Sequence, residues 1–434
     1  MWPLLPREDF KLKGTSKLEF ADRHMKRRDF LKALRHGLLL AVGGNVICSV
    51  KVEGQANGRN MTGQQHLTLF LCGDVMTGRG VDQILPSPSK PGLHEAFVNN
   101  ATEYVKLAER ENGPIAKPVD YTYIWGDALK VWQTAKPDVG IVNLETSVTV
   151  SDVFWPGKSI HYRMQPENLP CLTAASIDCC VLANNHVLDF GYAGLTETLA
   201  SLRRAGLPTV GAGENIDEAS SPIRIPLQHK DNVLIFGFAD PSSGVPESWR
   251  VDEHRAGVNL LSDLSATTAR RVAERIRKLK KMDDTVIASI HWGSNWGYEV
   301  PVEQREFAHH LIDDGGVDII HGHSSHHSKA IEFYRGKAII YGCGDFLNDY
   351  EGIGGYQHYR PWLSLMYLVT LSLPSREIER FEIVPLSVRR MRLVQASSED
   401  RQWLTGTLNS VSEDVSTGFR ITEANQVLVS SATH

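Results

Sequence analysis

The chain has 434 residues, 42% hydrophobic and 22% charged, with a formal net charge of -5. That length and composition suit a globular protein with one large core or two, and the net acidity gives no electrostatic basis for nucleic-acid binding. The six cysteines contain no C-x-x-C pair, which excludes a zinc ribbon. They argue against a disulfide framework, leaving open only a bridge from Cys171 to Cys179 or Cys180.

Residues 1–66 lack the pattern of a domain core and read as a signal-like segment and linker. Within them, Lys26-Arg27-Arg28-Asp29-Phe30-Leu31-Lys32 resembles the twin-arginine export signal, two arginines followed after one residue by Phe-Leu-Lys. The weakly apolar run over residues 37–50 is too short for a stable membrane anchor. The expectation is export to the periplasm or the outer face of the cytoplasmic membrane, compatible with peripheral membrane association. Cytoplasmic residence is the lesser alternative. Residues 51–65, rich in Gly, Asn and Gln, read as the linker.

The body of the chain begins with a buried strand over residues 67–72, closed by Gly73-Asp74 and a Gly-rich stretch carrying Arg79. Residues 86–118 read as an insertion over the site, and residues 122–134 as an amphipathic helix. A strand over residues 137–142 ends in Asn143-Leu144-Glu145, and residues 160–170, with Arg163, form a polar connector. A third strand over residues 177–183 runs into Asn184-Asn185-His186, with Asp189 soon after, and a helix over residues 195–205. Residues 208–213 and 232–239 are further strands, and residues 266–281 form a charged helix with a basic, solvated face. The strand over residues 284–290 ends at His291. The strand over residues 317–320 precedes His321, His323, His326 and His327, spaced among Gly322, Ser324 and Ser325. A hairpin (331–334, 338–341), two antiparallel segments (364–372, 377–392), a helix (398–411) and a small strand pair (420–429) complete the chain.

Ligand-type side chains thus stand at five successive strand exits. Parallel strands bring such exits to one sheet edge, where open α/β sheets place their chemistry. Oxygen and imidazole ligands without thiolates suit Mn, Fe, Zn or Mg. The ordered motifs GDVMTGRG, NLE, NNHVLDFGYAG, HWG, and the GH…H loop followed by GDF resemble the CapA family of poly-γ-glutamate capsule biosynthesis proteins. That family looks like a divergent branch of the calcineurin-like metallophosphoesterases. The resemblance covers residues 67–395, with residues 396–434 as a C-terminal appendage.

The resemblance implies a metallophosphoesterase-like α/β/β/α sandwich with mixed central sheets. By motif position it implies Asp74, Glu145, Asn185, His291, His323 and His326 as metal ligands, with Glu145 as the bridging carboxylate. His186 becomes the acid that protonates the leaving oxygen. Arg79, Asn143 and Arg163 are expected to face an anionic substrate. Met76 stands where the family's first motif has a histidine, so of one or two divalent ions the second is expected to be weak or absent. The implied function is an exported hydrolase of a phosphoester or envelope polymer. The alternative is a non-catalytic polymer-binding or export component of a capsule synthesis complex.

Overall fold

The computed structural model describes residues 66–227, 231–421 and 427–431. The twin-arginine motif, the linker and Cys48 lie outside the described residues. In chain order the first sheet opens with β1 (His66–Val75), β2 (Val139–Leu144), β3 (Cys179–Val181) and β4 (Thr209–Val210). A second sheet follows, with β5 (Ile223–Pro226), β6 (Asn232–Ala239), β7 (Asp284–His291), β8 (Ile319–His323), β9 (Ile331–Tyr334) and β10 (Lys337–Ile340). The chain then returns to the first sheet through β11 (Asp345–Leu347), β12 (Leu363–Ser372), β13 (Ile378–Val388) and β14 (Leu393–Gln395).

The first sheet has eight strands in the order β14-β13-β12-β1-β2-β3-β4, with β11 also on β1. The run from β1 to β4 is parallel, and β12 to β14 are antiparallel. The second has six, β9-β10-β8-β7-β6-β5, parallel at the centre with antiparallel edges. Both sheets are therefore mixed, as expected.

Strand alternation explains the layers. Val233, Ile235, Ile287 and Ile319 turn toward the first sheet and share its core. Their neighbours Leu234, Phe236, Val286, Ala288 and Ile290 turn the other way, onto the helices Ala266–Leu279 and Val302–Asp313. Successive strand residues face opposite sides, so a strand apolar at every position must be covered on both faces. The result is the expected α/β/β/α sandwich.

Two details of the sequence reading change. The helix expected over residues 122–134 is a single turn at Tyr123–Trp125 followed by Ala128–Ala135, because Gly126 sits at φ 44° between them. The last strand of the pair stops at Val388, before Arg390 and Met391, which both adopt positive φ. Within this segment Trp125 is buried, and Trp132 stands edge-on to Phe70 at 4.6 Å. The five described cysteines are free and buried.

Candidate metal centre

Register places the strand ends side by side. Asp74 on β1 pairs with Asn143 on β2 and, on its other flank, with Asp345 on β11. In the second sheet His291 on β7 pairs with His323 on β8. A bulge between Cys72 and Asp74 turns the Asp74 side chain at the strand end. Gly73 permits it, since a Cβ there would collide with the carbonyl of Gly344.

On the first sheet, Asp74 Oδ1 accepts a hydrogen bond from Asn143 Nδ2 at 2.7 Å. Asn143 Oδ1 in turn accepts from Asn184 Nδ2, and Asn184 Oδ1 accepts from the His186 backbone N–H at 3.1 Å each. Glu145 Oε1 lies 3.7 Å from His186 Nε2 and 3.9 Å from His291 Nε2. Asp74 Oδ2 and Glu145 Oε2 are buried with no hydrogen-bond partner.

On the second sheet a relay fixes the imidazoles. His321 Nε2 donates to the Cys72 carbonyl at 2.8 Å, leaving its Nδ1 to accept from Ser289 Oγ at 3.0 Å. Having given its proton, the Ser289 hydroxyl accepts from His323 Nε2 at 2.9 Å. The neutral His323 ring therefore keeps a lone pair on Nδ1, 4.0 Å from Asp74 Oδ1 and 2.7 Å from His291 Nδ1. His291 Nε2 donates to Asn185 Oδ1 at 3.1 Å, so its Nδ1 also carries a lone pair. At that separation the two nitrogens share a proton in the metal-free site, and both would turn their lone pairs to the same ion when one is bound.

A second cluster adjoins the first. His326 Nδ1 lies 2.8 Å from Asp345 Oδ1, and Asn348 Nδ2 donates to Asp345 Oδ2 at 2.9 Å. Among the described residues two groups of potential ligands emerge, Asp74 with His291 and His323, and Asp74 with His326 and Asp345. Asp74 belongs to both.

Electrostatics agree with a cation site. Burial, helped by Asp345, raises the Asp74 carboxyl to about 7. Burial and Asp74 push Glu145 up as well. Burial holds His291 and His323 well below the usual imidazole range, in the neutral form a metal requires. Burial lowers His326 too, but Asp345 outweighs it and leaves that imidazole raised. Buried carboxylates with orphaned oxygens are costly alone and satisfied together by a divalent ion. The residues present fit such an ion.

His186 stands at the edge of the clusters. Its Nδ1 is 2.6 Å from Asp189 Oδ2 and 2.9 Å from Lys158 Nζ. Lys158 also donates to Asp189 Oδ1 and to the Asn185 carbonyl. Burial and then Lys158 hold the His186 imidazolium far down.

Three expectations are corrected. Arg79 does not face a substrate: it is 4% exposed, its Nε and Nη2 grip Asp349, and Nη1 reaches Glu95 at 3.1 Å. Tyr104 and Tyr162 stack on its guanidinium. Arg163 staples two loops instead, bonding the Ser151 and Lys90 carbonyls and Asp152. Asn143 is turned inward onto Asp74. Met76 offers no nitrogen, but Asp345, unassigned in the sequence reading, brings a carboxylate to the second group. Lys158 and Asp189 were likewise unassigned. The GDF motif is a visible signal for Asp345; nothing in the stretch around Lys158, just ahead of the polar connector, marks it.

Fold and site together define an α/β/β/α sandwich carrying a carboxylate–histidine candidate metal centre where two sheets meet. The model of the bacterial capsule synthesis protein family PGA_cap matches residues 68–350, and the chain belongs to that family. A probable polyglutamine synthesis accessory protein of Mycobacterium tuberculosis is 48% identical over 347 residues, covering 80% of this chain and 91% of that protein. The PGA biosynthesis protein CapA of Bacillus subtilis is 28% identical, covering 74% of this chain and 72% of that one. Among solved structures, a phosphatase from Mycoplasma pneumoniae aligns with TM-score 0.41 at 12% identity, covering 75% of this chain and 94% of that one.

Proposed function

We propose that this protein is a metal-dependent hydrolase acting on a phosphoester or an anionic envelope polymer in capsule or poly-γ-glutamate synthesis. The observation that carries the reading is the pair of buried ligand groups sharing Asp74, with His186 beside them. Asp74, His291 and His323 would hold one ion, with Glu145 and Asn185 at its side. Asp74, His326 and Asp345 would hold a second. When bound, such ions polarise the substrate and activate water. The chain's own groups do the rest. Asn143 and Asn184 fix Asp74 and the loop bearing His186. Asp189 and Lys158 hold His186 at Nδ1, leaving Nε2 to exchange a proton with the leaving oxygen. The relatives' printed names, in polyglutamine and PGA synthesis, support the polymer context.

The twin-arginine-like motif supports a place outside the cytoplasmic membrane, and the accessory role in the name of the Mycobacterium tuberculosis relative supports association with a capsule synthesis complex. A reporter fused after Gln65 should be exported, and Arg27→Lys with Arg28→Lys should retain it. Unchanged export of the double variant would remove this part of the proposal.

The central test combines elemental analysis with turnover on phosphomonoester, phosphodiester and γ-glutamyl amide substrates. Bound metal and activity should disappear together in His291→Ala. Protein that stays metal-free after incubation with Mn, Fe, Zn and Mg would sink the hydrolase reading in favour of a polymer-binding component.

A further inference from the structure

A groove lies away from the metal centre, on the outer face of the second sheet. It has a cavity of about 550 Å³ between the helix Ala266–Leu279 and the short helix Ile216–Ser220. Its floor is apolar, made of Phe238, Leu260, Leu261 and Val272. Arg271, Arg275 and Lys278 line it at helical spacing i, i+4 and i+7, which puts them in one row. By helix rise the two arginines stand about 6 Å apart along the axis.

Those two guanidiniums are largely uncommitted. Arg275 Nη2 donates to Ser220 Oγ at 2.7 Å, and Arg271 Nη2 to Ser262 Oγ at 3.2 Å. Among the described residues neither forms an ion pair with a carboxylate. Asp263, the acid that senses Arg271, is already held by Ser265 and Thr268. Arg250, which also lines the groove, is saturated by Glu247 and the carbonyls of Leu260 and Leu261. Lys278 pairs with Glu274 at the exposed rim. In a chain of net charge -5, two unpaired guanidiniums over an apolar floor form a local anion-binding row. Each fork matches a carboxylate with two parallel bonds.

We propose that this groove binds a linear polycarboxylate, its acid groups on Arg271 and Arg275 and its methylene segments on the apolar floor. The floor distinguishes this occupant from a single-stranded nucleic acid, whose bases stack on exposed aromatic faces; the aromatic ring here, Phe238, is 4% exposed. The groove would hold a polymer on the protein independently of the metal centre. The occupant's link to envelope polymer rests on the proposed function; the site itself does not.

The test is fluorescence anisotropy with a labelled γ-linked glutamate oligomer on the intact protein. Arg271→Gln with Arg275→Gln keeps a polar, uncharged side chain at each position while removing both charges and the Nη2 contacts to Ser262 and Ser220. It should weaken binding by roughly tenfold or more, with unchanged metal content. Arg270→Gln, on the same helix but outside the groove, should bind as the parent does. Asp74→Asn should also bind normally, which separates this site from the hydrolase reading. If the double variant melts early, the two single glutamine variants carry the test, each with a smaller loss. Undiminished binding by the variants, an equal loss in Arg270→Gln, or no binding by the parent would overturn the proposal. Equal affinity for polyphosphate of matched charge would overturn the carboxylate assignment.

Discussion

His321 Nε2 donates to the backbone carbonyl of Cys72 at 2.8 Å, one residue from the bulge before Asp74 and across the gap between the two sheets. That bond sets the direction of every proton behind it, through Ser289 to His323. Ser289→Ala breaks the relay and frees His323 to take the wrong tautomer. Metal affinity should fall by roughly 10–100-fold, the usual effect of losing a partner behind a ligand. Competition against a chromophoric chelator measures it, and an unchanged affinity would show that the relay has no part in binding.

Asp345 is the carboxylate that distinguishes the second ligand group from the first. Asp345→Asn should therefore lower the metal content while leaving the ion held by Asp74, His291 and His323. Elemental analysis against protein concentration reads the stoichiometry. Full loading of the variant would leave Asp345 as no more than a hydrogen-bond partner of His326.

His186 touches neither ligand group through its Nδ1, which Asp189 and Lys158 occupy. His186→Gln should retain metal and slow turnover by ~10²–10⁴-fold. Loss of metal along with activity would instead make His186 a ligand.

Metal uptake should depend on pH with a definite sign. The metal-free Asp74 carboxyl titrates near 7, and Glu145 is raised in the same direction. An ion must displace these protons, so affinity rises with pH until it passes the raised pKa and then flattens. His291 and His323 do not oppose this, because burial keeps them neutral well below the usual imidazole range. Affinity measured by calorimetry from about pH 6 to about pH 8 should climb; a flat profile would contradict the assignment of Asp74.

Arg79 is a stability residue. Arg79→Met leaves Glu95 and Asp349 buried without their cation. The expected cost is about 3–5 kcal/mol, read from the urea midpoint, with metal content unaffected. A variant as stable as the parent would return Arg79 to the list of ligand-facing groups.

The residues legible in the sequence share one property. Asp74, Glu145, Asn185, His291 and His323 each close or follow an apolar strand, and parallel pairing carries such ends to one edge without further information. Both sheets and their mixed character were readable for the same reason. Asp345 was harder because it begins a three-residue strand, and its place beside Asp74 depends on a parallel pairing between distant segments. Lys158 comes from a connector with no periodicity, so only the folded loop brings it to His186. Arg79 misled because a guanidinium in a Gly-rich loop suggests an anion site. Its actual partners, Glu95 and Asp349, lie 16 and 270 residues away.

The candidate ligands His291 and His323 come from one sheet, and Asp74 and Asp345 from the other. An ion bound among them would be a cross-link between two halves of the core. Neither half carries the full ligand set alone, so such an ion would be acquired only after the sheets have docked. Its departure would then add a barrier on the unfolding path. Resistance to proteases would be set by how fast the ion dissociates, and the compartment where docking is completed would decide which element is captured.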